Sequence, residues 1–154
     1  MTTGSTPWLD ASEQATWRRL LAVESRLRDR LDRELQSAHG MTLGDYDVLV
    51  HLSEAPERCL RMSELASRLL LSRSGLTRRL DGLVRDGWVA RRACADDRRG
   101  SLAQLTPAGM EVLEAAAVTH VAGVRRYLVD ALAPVGGMAA LGRGLEAVEK
   151  ALEG

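Results

Sequence analysis

The stretch LSRSGLTRRLDGLVRDGWVARR, Leu71 to Arg92, decides how this chain is read. At about 100° per residue, Leu76, Leu80, Leu83 and Val84 fall within roughly a third of a helix circumference. Ser74, Arg78 and Arg85 lie almost opposite, with Asp81 and Gly82 beside them. Arg73 and Thr77 sit at one shoulder, Gly75 and Arg79 at the other. One face is made to be buried and the other to be presented. Ser72 is placed to cap this helix, which runs to about Asp86, and Gly87 to follow its end as the C′ residue. From Trp88 the period changes to two, the mark of a strand.

Upstream, RMSELASRLL forms a short helix with Met62, Leu65, Ala66 and Leu69 inward. LLLS joins it to the helix above, which makes a helix-turn-helix. Downstream, Trp88, Ala90 and Arg92 alternate with Val89, Arg91 and Ala93. ADDRRG reads as a turn, and Leu102, Gln104 and Leu105 return as a second strand. The hairpin turns the motif into a winged helix-turn-helix.

Helices flank this unit. Asp10 with Glu13 makes an N-cap arrangement, after which Trp17, Leu20, Leu21, Leu27, Leu31 and Leu35 recur at helical spacing. HGMT breaks that helix at Gly40. Thr42 with Asp45 opens the next, with Leu43, Tyr46, Leu49, Val50 and Leu52 buried, and Ala55-Pro56 ends it. Thr106-Pro107 caps a long helix from about Ala108 to Ala131, broken around Pro134 to Gly137. In the last helix Met138, Leu141, Leu145, Val148 and Leu152 alternate steps of three and four. So narrow a stripe suits a partner helix, and it is read as packing on the N-terminal helix, within or between subunits.

The 154 residues, 45% hydrophobic and 27% charged, describe one globular domain. With 3% aromatics and no Phe, the core falls to Leu, Val, Ala and Met. The formal net charge of +0 hides an asymmetry: Glu57 to Gln104 holds 11 Arg against 6 acids, and the remainder holds 10 basic and 15 acidic residues. A basic middle between acidic arms suits a polyanion. Cys59 and Cys94 form no metal-ligand spacing, and His39, His51 and His120 are not spaced as ligands. No phosphate-binding Gly loop or G-x-S-x-G is present, so neither an enzyme nor a cofactor or metal site is expected. With no signal-peptide pattern and no apolar run near the roughly 20 residues of a membrane span, a cytoplasmic protein with no membrane partner is expected.

Small residues near the N-terminus of the Ser72–Asp86 helix let it settle close to base edges in a major groove. There Arg donates bidentately to guanine O6 and N7, and Ser or Thr reaches base or phosphate. Asp81 and Arg85, one turn apart, equally suit a surface ion pair, and Arg85 is assigned to solvation. DDRRG sets Arg98 and Arg99 at the hairpin tip, where a protruding guanidinium can enter a minor groove. An ordinary charged turn is the alternative.

RMSELASRLLLSRSGLTRRLDGLVRDGWVARR followed by CADDRRGSLAQLTPAG resembles the MarR family of bacterial transcriptional regulators, and the helical arms extend the likeness over essentially the whole chain. Within the family it looks most like the actinobacterial members with a DDRRG wing. The resemblance implies a mainly α (α+β) fold: a single domain over 1–154, a winged DNA-binding lobe over 43–106, and dimerisation helices over 10–38 and 107–152. It implies a homodimer binding a pseudo-palindromic double-stranded DNA operator, as a repressor released by a small aromatic or phenolic effector. The recognition-helix contacts map on Ser72, Arg73, Ser74, Thr77 and Arg78, with Arg79 a weaker candidate for phosphate. The wing contact maps on Arg98, braced by Asp97 and Arg99. Gly75 departs from the family, where many members carry Ser or Thr.

For the effector, Trp17, His39, Tyr46 and His51 are candidate lining residues of the crevice between dimerisation helices and DNA-binding lobe, each weighed against plain core packing. The first helix lacks the reactive Cys of the peroxide-sensing branch. Cys94, among wing arginines, is read as structural or incidental. The contrasting function is a winged-helix protein-interaction module without specific DNA binding, which would not need Arg78 and Arg98 together.

Overall fold

The computed structural model describes residues 7–94 and 97–154, without the side chains of residues 94 and 97–100. The chain opens with α1 (Ala11–His39), held at its start by a reciprocal capping box between Asp10 and Glu13 and stopped by Gly40 at φ +63°. A second capping box, Thr42 with Asp45, starts α2 (Leu43–Ser53). α2 is the centre of the molecule. Leu43, Tyr46, Val48, Leu49 and Leu52 bury most of its circumference, because α1, α3, α5 and the sheet pack around it. Each fully buried Leu contributes about 1.5–3 kcal/mol of transfer free energy, and Leu35, Leu49, Leu52, Leu65, Leu76 and Leu80 are all at 0% exposure.

The helix-turn-helix forms as its sequence dictates. α3 (Met62–Arg68) ends in a Schellman arrangement, in which Leu71 N–H donates to the Ala66 carbonyl and Leu70 N–H to that of Ser67. The C′ position falls on Leu70, at φ +53° and 92% exposed. A non-glycine there carries about 1–2 kcal/mol of left-handed strain. Ser72 then caps α4 (Arg73–Arg85), its Oγ accepting from Gly75 N–H at 3.1 Å. Leu76, Leu80 and Leu83 are buried, whereas Val84, at the margin of the apolar arc, is exposed.

The sheet has three strands rather than the two of a simple hairpin. β1 (Cys59–Arg61) pairs antiparallel with β3 (Asp97–Leu105), which pairs with β2 (Val89–Cys94), giving the order β1-β3-β2. β1 follows a 3₁₀ turn, Pro56–Arg58, with Glu57 and Arg58 at positive φ. Three residues are too few to display a period of two, so nothing in the sequence pattern marks it. β3 also begins earlier than the turn reading of ADDRRG allows. Ala93 pairs with Ser101 while Cys94 pairs with Asp97, so residues 98–100 fall inside a strand irregularity at the far end of the hairpin.

Thr106 caps α5 (Pro107–Val124), its Oγ1 accepting from Gly109 N–H at 3.0 Å. The backbone stays helical as far as Leu132, as the sequence pattern expects, with a π-turn, Arg125–Val129, set between α5 and the short α6 (Asp130–Leu132). A 3₁₀ turn, Ala133–Val135, follows. Gly136, at φ +105°, leads into α7 (Gly137–Leu152). No residue of α7 is buried, so its apolar stripe is not closed over by the described residues. Trp17, Leu20 and Leu21 on the N-terminal half of α1 are likewise about half exposed. No helix among the described residues is long and apolar enough to cross a membrane.

Candidate nucleic-acid interface

α4 presents its polar face because the three buried leucines fix its rotation. Ser72, Arg73, Ser74, Thr77 and Arg78 are all exposed. Ser72 and Ser74 hydroxyls lie 3.2 Å apart at the helix start, and Thr77 donates to the Arg73 carbonyl at 2.9 Å, so its lone pairs point outward. The guanidinium groups of Arg73 and Arg78 have no partner among the described residues. Their charge is uncompensated there, because Asp81 is engaged elsewhere. Arg91, on β2, donates to Asp81 at 2.7 Å and to the Thr77 carbonyl at 3.3 Å, tying the hairpin to α4. That pairing replaces the Asp81–Arg85 pair, and Arg85 stands in solvent. Arg79 points the other way: half-buried, it donates to Thr42 Oγ1 and Asp45 Oδ1 at the start of α2. Asp97, Arg98 and Arg99 are placed by backbone alone, at the far end of the wing, and their side chains lie outside the described residues, as does that of Cys94.

The candidate effector residues do not converge. His39 Nε2 is 2.8 Å from Thr119 Oγ1, and Tyr46 stacks on His120 with ring centroids 4.5 Å apart, so α5 receives both. Trp17 lies 22 residues before His39 on the same helix, about 33 Å away at 1.5 Å per residue. His51, five residues beyond Tyr46, is about 140° further round α2 and has no side-chain partner among the described residues. His120, which no spacing motif singles out, is the residue the sequence reading missed. Its Nδ1 is shielded from solvent and has no hydrogen-bond partner among the described residues. Burial pushes its pKa below the ordinary 6.5, against an opposing pull from Asp47, while burial and Asp47 raise that of Tyr46.

The folded state therefore favours neutral His120, and the unfolded chain takes up a proton at higher pH. Stability is expected to fall as pH drops through about 6.5. Urea unfolding from pH 7.5 to 5.5 checks this: His120→Gln should flatten the slope, and an unchanged slope would assign it to another group.

A second cluster joins α1 to the π-turn. Tyr127 donates to Glu34, Arg126 lies 3.7 Å from the same carboxylate, and Arg30 and Arg126 sit 5.5 and 5.6 Å from the Tyr127 ring centroid. Two grooves of about 520 and 390 Å³ run along this side of α1, sharing Arg30 and Arg33. Neither is lined by Trp17, His39, Tyr46 or His51.

Comparison with known proteins identifies the architecture. The MarR family model matches residues 39–100, from the end of α1 through the wing. The crystal structure of Sco3205, a MarR family transcriptional regulator from Streptomyces coelicolor in complex with DNA, is 39% identical with a TM-score of 0.90. It covers 99% of this chain and 94% of its own. This chain belongs to the MarR family. AbsC, a second MarR family regulator from Streptomyces coelicolor, is 38% identical with a TM-score of 0.87, covering 96% of this chain and 99% of its own. The HTH-type transcriptional regulator PrsX of Escherichia coli is 33% identical over 90 residues, 58% of this chain; the match spans 54%, about half, of PrsX. In this winged helix-turn-helix fold α4 is the second helix of the helix-turn-helix and the β2–β3 hairpin the wing.

Proposed function

We propose that this MarR-family chain is a sequence-specific double-stranded DNA-binding transcriptional regulator acting as a homodimer on a pseudo-palindromic operator. The observation that carries the reading is the exposed, unneutralised pair Arg73 and Arg78 on α4, set among Ser72, Ser74 and Thr77. Arg78 reads a base edge and Arg73 supports it, while the α4 N-terminus turns N–H donors toward phosphate. Arg98, with Asp97 and Arg99, enters the minor groove from a wing of the actinobacterial DDRRG type. That the Sco3205 crystals contain DNA supports the same docking. The lobe at 43–106 and the dimerisation helices at 10–38 and 107–152 belong to this reading, as does repression relieved by a small aromatic or phenolic effector. His39 and Tyr46, both seated on α5, are the residues best placed to feel such an effector.

Fluorescence anisotropy with DNA from upstream of the protein's own gene tests it. Affinity should fall steeply along a salt series, because each neutralised phosphate releases counterions. Arg78→Ala should cost about 1–3 kcal/mol and relax discrimination at one base position. Equal, weak affinity for operator and scrambled DNA would leave a protein-interaction module as the reading. A uniform loss across sequences would make Arg78 a phosphate contact instead.

A further inference from the structure

Arg79 stands on the recognition helix next to Arg78, yet its guanidinium is committed inside the protein. Nη1 lies 3.1 Å from Thr42 Oγ1 and 3.2 Å from Asp45 Oδ1. Those acceptors are themselves fixed, since Thr42 and Asp45 form the capping box that starts α2 and Thr42 Oγ1 donates to Asp45 Oδ2 at 2.6 Å. The planar head lies over Gly44. A Cβ at that position would sit 2.2 Å from Arg79 Nη1 and 2.5 Å from Cζ. The missing side chain is what opens the berth.

The same turn of α2 is anchored to α1, because Leu43 N–H donates to Asp32 Oδ1 at 2.7 Å and Gln36 holds the other oxygen of Asp32. On the opposite flank of α4, Arg91 grips Asp81. The recognition helix is thus held from both sides by charged hydrogen bonds, and one of them leads back to α1.

We propose that Arg79 is a positioning residue, seated over Gly44 in a clasp with Thr42 and Asp45, that sets the angle of the recognition helix for base readout and does not itself bind phosphate. The inference rests on the DNA-binding reading above. Its physical basis is tolerance: a bidentate contact to a base survives only about 0.5 Å or 10–20° of misplacement. The three buried leucines choose which face of α4 is turned outward, and a clasp at its shoulder resists the small roll that packing alone still allows.

Gly44→Ala is the decisive variant. Gly44 lies in the first turn of α2 with ordinary helical φ, so alanine is no worse a helix former there while its methyl evicts the guanidinium. The expected result is a melting temperature no lower than wild type, with operator affinity down by about tenfold, the scale of one charged hydrogen bond. Affinity for scrambled DNA and its salt slope should stay unchanged. Arg79→Gln should reproduce the pattern. In the DNA-free protein, Gly44→Ala should speed hydrogen exchange of the α4 amides.

Undiminished operator binding and unchanged α4 exchange in Gly44→Ala would overturn the clasp. So would an Arg79→Gln variant that weakens operator and scrambled DNA alike with a salt slope smaller by about one, since that marks a phosphate contact. Failure of wild-type protein to prefer its operator would overturn the DNA-binding reading instead, and the exchange measurement would still decide the clasp.

Discussion

Gly109→Ala is expected to destabilise the protein by on the order of 3 kcal/mol, the upper end of what overpacking costs. A Cβ on Gly109 would stand 2.1 Å from the Trp88 carbonyl oxygen and 2.8 Å from Leu105 Cδ1. The first of these neighbours is backbone, and no rotamer change moves it. That carbonyl is also in use, since it accepts from Thr106 N–H at 3.0 Å, while Thr106 Oγ1 donates to the Gly87 carbonyl at 2.7 Å. The first turn of α5 is therefore pressed onto the root of the β2–β3 hairpin. A methyl group must lift the helix off the hairpin or break the Thr106 bonds. Helix propensity pulls the other way, because Gly→Ala alone is worth about 1 kcal/mol of added stability. The clash and the propensity act in opposite directions. Urea unfolding decides between them, with an unchanged m-value and a midpoint well below wild type expected. A midpoint at or above wild type would show that the contact relaxes at no cost. Because the wing grows from this root, DNA affinity should fall further in Gly109→Ala than stability alone predicts.

The LTPAG run that holds Gly109 was legible as a helix start, since Thr106 caps and Pro107 suits the first turn. The need for glycine was not, because it arises from a carbonyl in a different element. The same division holds through the molecule. Local chemistry was readable: the capping boxes at Asp10 and Thr42, the left-handed stop at Gly40, the Ser72 cap and the buried face of α4 all follow from residues within one turn. Features set by contact at a distance were not. β1 exists because Leu60 pairs with Ala103 far along the chain, and its three residues show no pattern of their own. The π-turn brings consecutive residues, Arg126 and Tyr127, onto one carboxylate of α1, and helical periodicity does not reveal it. Arg79 illustrates the limit most clearly. Its place on the helical wheel put it at the shoulder of the presented face, but a glycine 35 residues earlier gave it a berth inside. Within the candidate site, the wheel correctly separated the leucines from Ser74 and Arg78, and it could not say where Asp81 would find its partner.

The largest effect is expected from two apolar residues that stand half exposed on α7. Leu145 and Val148 on α7 are 49% and 55% exposed, and with Met138 and Leu152 they form an apolar stripe that the described residues leave open to solvent along its length. Trp17, Leu20 and Leu21 on α1 present a second such surface. Exposed apolar patches of this kind on otherwise polar helices mark association surfaces, and steps of three and four suit a helix partner. In the proposed homodimer the two surfaces would cover each other across a two-fold axis, and two copies of α4 would be held at a fixed spacing. The double variant Leu145→Glu with Val148→Glu places two charges in that seam. Its circular dichroism should match wild type, because neither side chain belongs to the core. Sedimentation should show wild type as a dimer and the variant as a monomer. Operator affinity should then fall by about 10²–10⁴-fold, the range lost when two linked binding events become one, while each lobe keeps its own weak, salt-sensitive affinity. A dimeric variant with intact operator binding would place the dimer contact elsewhere, and a monomeric wild type would remove the two-fold operator from the reading. A monomeric variant that still bound its operator tightly would mean that one recognition helix and one wing carry the whole affinity.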